Sequence, residues 1–164
     1  MHGLDEPVRR YLTPALGGRG IGPTHVRLTM VGRTEVGGWL QLAFTAEQEF
    51  TAESIWMPGM LAPERVVSWR AEGDEVIVAS LDVAPEHPDV RLRIDASGAV
   101  GSVSLMRWGN VGQEDFEYIP FGGDIHAERR FGTLLLPSEV IIGWWYGTPR
   151  YQPFFEATIL DAAV

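Results

Sequence analysis

Arg107-Trp108, Tyr118, Glu128, Arg129-Arg130, Trp144-Trp145-Tyr146 and Arg150-Tyr151 are the residues of this chain best equipped for chemistry. They set cations and a carboxyl among aromatic rings, a mixture that can hold an apolar guest and fix one polar end of it. The stretch from Tyr118 to Phe155 holds nine of the seventeen aromatic residues. Rings at that density are costly in water, so they must line either a core or a pocket. One account is a two-sided core whose arginines stack on rings and pair with acids. The other is a cup with aromatic walls and a few orienting polar groups. Both stay open at this level.

Other chemistries fare worse. His2, His25, His87 and His126 lie far apart, without metal-ligand spacing; His126 and Glu128 could share one strand face, but read better as a solvated pair. No metal and no cofactor is expected. Ala96-Ser97-Gly98 reads as a hairpin turn and not as a nucleophile elbow. The glycines from Gly17 to Gly22 follow a helix, whereas a phosphate cradle precedes one. Carboxylate pairs Glu47/Glu49 and Glu128/Glu156 resemble the two acids of a glycosidase. With 22 acidic residues in the chain, chance pairs on solvated faces explain them better.

Composition excludes whole classes. There is no cysteine, hence no disulfide, thiolate zinc site or thiol nucleophile. All thirteen basic residues are arginine, which removes Schiff-base and P-loop lysine chemistry. A net charge of −9 argues against nucleic acid and anionic membrane surfaces. The first residues lack the apolar run of a signal peptide, and no stretch is apolar enough to span a bilayer, so a cytoplasmic location without membrane insertion is expected.

The elements that must position these residues are mostly strands, in one domain spanning 1–164. Asp5, Glu6 and Pro7 open a short helix whose Val8, Tyr11 and Leu12 form one apolar stripe. Thereafter the period is two. Val26-Leu28-Met30, Leu40-Leu42-Phe44 and Val90-Leu92-Ile94 alternate with polar residues, and turns such as Asp95-Ala96-Ser97-Gly98 join antiparallel neighbours. The aromatic block adds strands near 125–131, 134–146 and 154–160, with a bend or an edge at Pro137. Ser54 to Pro63 interrupts the rhythm as an apolar loop or single helical turn. The expected architecture is mainly β: a curved antiparallel sheet of about eight or nine strands, barrel or half-barrel, with the short N-terminal helix against it.

Leu4 to Leu12 (LDEPVRRYL), Arg107 to Asn110 (RWGN), Tyr118 to Gly123 (YIPFGG), Arg130 to Ser138, Gly143 to Thr148 (GWWYGT) and Tyr151 to Ala157 resemble an uncharacterised bacterial domain-of-unknown-function family, frequent in actinobacteria. Its sheet is similar to the half-barrel of lipoprotein-carrier and lipoprotein-sorting proteins. The middle segment here, Glu53 to Arg65, is shorter than in fuller members, which implies a smaller half-barrel or one completed by a second copy. The resemblance implies a concave face that takes an acyl chain or polyketide, and it transfers no reaction.

Three functions follow as expectations. In a binding module, Trp108, Tyr118, Phe121, Trp145 and Tyr146 supply stacking surface. Arg107 or Arg130 anchors a carboxylate or enolate, and Ile55, Trp56, Met57 and Met60 form an adaptable lid. In a cofactor-independent cyclase or isomerase of natural-product assembly, Glu128 or Tyr118 is the acid or base. In a ligand-free structural homodimer, the aromatic block is the dimer core.

Overall fold

The computed structural model describes residues 3–18, 26–35, 39–47, 52–56, 58–63, 67–82, 87–112 and 115–163. Helix α1 spans Glu6–Ala15 and buries Pro7, Val8, Tyr11, Leu12 and Ala15, as its apolar stripe requires. Asp5 precedes it but does not cap it. Its carboxylate accepts a hydrogen bond from the backbone N–H of Ala71 at 3.0 Å instead. The helix therefore begins fastened to a strand, and it ends at Gly17, where a Cβ would collide with Thr133.

Among the described residues nine strands follow: β1 (Arg27–Glu35), β2 (Trp39–Glu47), β3 (Val67–Ala71), β4 (Val76–Leu81), β5 (Asp89–Ile94), β6 (Val100–Gly109), β7 (Glu117–Phe131), β8 (Leu134–Trp144) and β9 (Gln152–Ala163). They form one sheet in the order β2-β1-β9-β8-β7-β6-β5-β4-β3. Neighbours are antiparallel, including β1 on β9, where Arg27 faces Ala163. Among the described residues β2 and β3 stand at the two ends without pairing to each other, so the half-barrel is open.

Local chemistry accounts for the turns and the bend. Asp95 closes the β5–β6 turn by accepting hydrogen bonds from the Ser97 and Ala99 backbone N–H groups and from the Ser97 hydroxyl. Gly98 completes that turn at φ +90, against the Arg10 carbonyl. Curvature comes from the middle of the sheet. A Cβ at Gly123 would run into the carbonyl oxygen of Ile141, and one at Gly143 into that of Gln152. Only glycine lets the neighbouring backbones coil so closely there.

β7 begins at Glu117, well before the Ile125 start that alternation suggests. Pro120 and the Gly122-Gly123 pair read as breakers. Yet β7 pairs with β8 only from Phe121 onward, so at Pro120 it has one neighbour, β6, and the missing N–H faces no partner. Pro137 is an edge in the same sense, because β8 meets β9 only from Glu139.

One face of the sheet carries the core. There α1 packs with Leu28, Met30, Ile77, Leu92, Val103, Phe121, Val140, Ile142 and Ile159. The segment expected to be a lid lies in that core as well. It forms two short 3-10 turns, Ala52–Trp56 and Pro58–Leu61, in which Ile55, Trp56 and Leu61 are buried and Met60 is half-buried. Trp56 donates its indole N–H to the Pro137 carbonyl at 2.9 Å, and Trp69 likewise to Leu61. The apolar composition belongs to a plug, since a tryptophan buried with its one donor satisfied has nothing to swing toward. Met57 lies outside the described residues.

The other face is open. On β3, β4 and β5 it bears Arg70, Glu72, Ser80, Asp89 and Arg91, joined by ion pairs and hydrogen bonds over the buried Val78. No helix among the described residues is long and apolar enough to cross a membrane.

Candidate functional site

Arg107 follows Val103 and Leu105 at period two on β6, which turns it to the core face near the end of the strand. Its guanidinium lies 4.7 Å from the centre of the Phe121 ring and 5.8 Å from that of Trp144. The two rings meet edge-on at 4.9 Å, and Phe154 stacks on Trp144 at 6.3 Å. Among the described residues Arg107 has ring partners and no carboxylate partner. It is a half-buried cation stacked on rings.

A hollow of about 760 Å³ opens beside these rings, walled by Val111, Trp144, Tyr151, Pro153 and Phe154, with Glu35 at its rim. A break in register shapes one wall. Gly143 pairs with Pro153 and Ile142 with Phe155, so Phe154 is the extra residue of a bulge, and both phenylalanines pack toward the core. Gly109 lies against the same ring: a Cβ there would stand 3.0 Å from Trp144 Cη2.

On the open face a second constellation forms. Trp145 follows the end of β8 at φ +54, a left-handed conformation that a bulky residue seldom adopts. The turn holds it there. Thr148 donates to its carbonyl through backbone and hydroxyl, and Arg150 stacks on its buried indole at 4.5 Å. Tyr146 then reaches back to donate to Asp124 at 2.6 Å, and its ring meets Tyr151 edge-on at 5.2 Å. Burial and that hydrogen bond push the Tyr146 phenol above its ordinary range. Burial, with Asp124 and Tyr146 nearby, pushes Tyr151 up to about 12.

The expected site residues thus divide. Arg107 and Phe121 meet on the core face beside Trp144, a wall of the hollow that neither of them lines. Trp108 and Tyr118 face the opposite way, 48% and 52% exposed, ring against ring at 4.9 Å. Trp145 and Tyr146 belong to the open-face turn, Trp56 is core, and Arg130 is exposed at the far end of β7. One pocket does not hold them all.

Nor do the two acid/base candidates meet. Ten positions of β7 part Tyr118 from Glu128, on the order of 30 Å of strand. Glu128 sits past the bulges of β7 and lines a hollow of about 650 Å³ with His126, Arg93 and Asp95. Burial raises its pKa, partly offset by a hydrogen bond from the Val100 N–H. Glu156 stands on β9, parted from β7 by β8, and holds Arg33 in a two-point ion pair at 2.6 and 2.7 Å, so a Glu128/Glu156 glycosidase pair is not assembled. Glu49, of the other pair, lies outside the described residues. No group of three or more metal-binding side chains occurs among the described residues.

The sequence singles out Trp144 and Tyr151 among the chemistry-bearing residues without assigning them to the ligand, and it passes over Phe154. Trp144 was findable, since it shares the period-two face of Val140 and Ile142. Phe154 had no such signal, because a bulge turns it and alternation does not.

The chain belongs to a family of unknown function (DUF6920), which it matches over residues 40–163, from the second residue of β2 to the end of β9. No curated protein matches it. No solved structure matches it either.

Proposed function

For a member of this family, we propose the binding of an apolar small molecule with one anionic end, such as an acyl or polyketide carboxylate, in the hollow beside Trp144 and Phe154. The observation that carries this reading is Arg107. A guanidinium stacked on two rings without a carboxylate partner among the described residues is unusual in a chain with 22 acidic and 13 basic residues. It offers a planar, two-pronged donor to a carboxylate or enolate. A hollow of about 760 Å³ walled by rings suits the apolar body. Arg130 offers no ring-lined hollow and drops out as the anchor. The core plug of α1 and the 3-10 turns leaves the rim, and not the depth of the half-barrel, as the place for a guest.

Titration of the tryptophan fluorescence with palmitate and with hexadecanol tests this. Arg107→Leu is expected to weaken palmitate at least tenfold and to leave hexadecanol within twofold. Equal loss of both ligands, or no saturable response to either, overturns the reading.

A second reading rests on Glu128. A half-buried carboxyl with a raised pKa beside a hollow of about 650 Å³ is poised for general acid or base catalysis in a cofactor-independent isomerisation. It has a competing structural duty, the hydrogen bond from Val100. Glu128→Gln keeps an acceptor for that bond, so turnover lost with stability retained would favour catalysis.

A further inference from the structure

Among the described residues, four of the six exposed large apolar side chains lie together where β6 leaves and β7 returns. Met106, Trp108, Phe116 and Tyr118 are 49%, 48%, 56% and 52% exposed. Trp108 faces Tyr118 across the two strands, touching it edge-on at 4.9 Å and stacking on Phe116 at 6.2 Å. Met106 is paired with Pro120 two positions further in, which extends the same apolar surface. A cluster of this kind is costly in water and marks a surface that something covers.

Its position singles out what. The segment that leaves β6 beside the patch also reaches the hollow. Gly109 abuts Trp144, and Val111 lines the opening three residues after Trp108. The patch and the mouth are therefore at one end of the sheet, back to back on β6. The residue types add a second indication. Tryptophan and tyrosine join an apolar body to a polar tip, the combination that settles at the boundary of acyl chains and headgroups. Asp115 and Glu117 flank the patch and no arginine lies between Trp108 and Tyr118, so the surface is wrong for an anionic bilayer and right for a neutral one.

We propose that the β6–β7 end is a peripheral docking surface for a zwitterionic lipid bilayer, which holds the mouth of the hollow against the membrane from which its apolar ligand is drawn. Docking rests on the binding reading above for its purpose, but not for its test. The rings enter the interface without spanning it, in the manner of a shallow anchor. A bound acyl carboxylate would then reach Arg107 by leaving the bilayer at the rim, without first crossing bulk water.

Flotation with phosphatidylcholine vesicles, and with vesicles containing a third phosphatidylglycerol, tests docking directly. The wild type is expected to float with phosphatidylcholine, with a blue shift of tryptophan emission, and at least threefold less with the anionic vesicles. Trp108→Ser/Phe116→Ser/Tyr118→Ser should lose at least tenfold of the binding while melting within a few degrees of wild type and keeping its palmitate affinity in solution. Arg107→Leu should float like the wild type. Floating that survives the triple substitution overturns the proposal. So does a concentration-dependent dimer that the triple substitution dissolves without any vesicle binding, which would make the patch an interface between copies. Docking intact with no palmitate binding would sink the ligand reading alone.

Discussion

Tyr146 donates its phenolic proton to Asp124 at 2.6 Å, tying the turn after β8 to the middle of β7 across the bare backbones of Gly122 and Gly143. The bond exists because Trp145 takes a left-handed conformation one residue earlier. Strain at Trp145, of order 1–3 kcal/mol for such a residue, is offset by its burial under Arg150 and by the bonds of the turn.

Removing that bond should be measurable. In a double-mutant cycle, Tyr146→Phe and Asp124→Asn are expected to couple by about 1–2 kcal/mol in urea denaturation. The raised phenol sets the pH sense: its contribution is whole below the unfolded value of 10.0 and is lost as pH rises through the higher folded value. A coupling near zero at neutral pH would show that the turn holds without it.

The plug makes a sharper claim. Trp56→Ala should cost about 3–5 kcal/mol as a buried large-to-small change. Trp56→Phe should cost about 1–3 kcal/mol by leaving the Pro137 carbonyl without its donor. Urea midpoints decide, since a lid residue would move them by only a few tenths.

Curvature should be equally sensitive. Gly123→Ala is expected to cost about 3 kcal/mol or more, because the methyl group meets the Ile141 backbone and no side chain can yield. At Gly112, φ +66 with nothing within 4 Å of the added Cβ, the same change should cost about 1 kcal/mol from conformation alone. Similar losses at the two sites would refute the role given to Gly123.

Glu128 sets a pH dependence of the opposite kind from ordinary surface acids. Its folded pKa is raised, mainly by burial, so the folded state holds the proton more tightly than the unfolded chain. Its contribution is full below the unfolded value of 4.5 and declines as pH rises through the folded one. Relative to Glu128→Gln, the wild type should therefore lose stability between those limits and run parallel above them. Asp95, its pKa lowered chiefly by the Ser97 hydroxyl, should act the other way, and its contribution should vanish as pH falls below 3.8.

Much of this architecture was legible in the residues. The stripe of Val8, Tyr11 and Leu12 located α1, and alternation located β1, β2 and β5 with the Asp95 turn after the last. What escaped had physical reasons. Pro120 and Gly122-Gly123 look like a loop unless one knows that β8 begins its pairing at Phe121 and that the backbone of Ile141 occupies the missing Cβ space. The apolar run at 54–63 was plain, but composition does not say whether such a run closes over a cavity or fills it. Arg107 and Trp144 were singled out by their types, whereas Phe154 became visible only once a bulge was known.

The pairing of β1 with β9 has a consequence for how the protein is made. Residues 27–34 have β2 beside them in sequence, but find their second neighbour only in residues 155–163. A chain emerging from the ribosome can build the β3 to β8 meander strand by strand, each hairpin closing on the last. The hairpin of β1 and β2 has no sheet to join until β9 is synthesised, and it must wait with both edges unpaired. Closing so long a loop is slow. Assembly should therefore show two stages, with the first-made hairpin the last to dock.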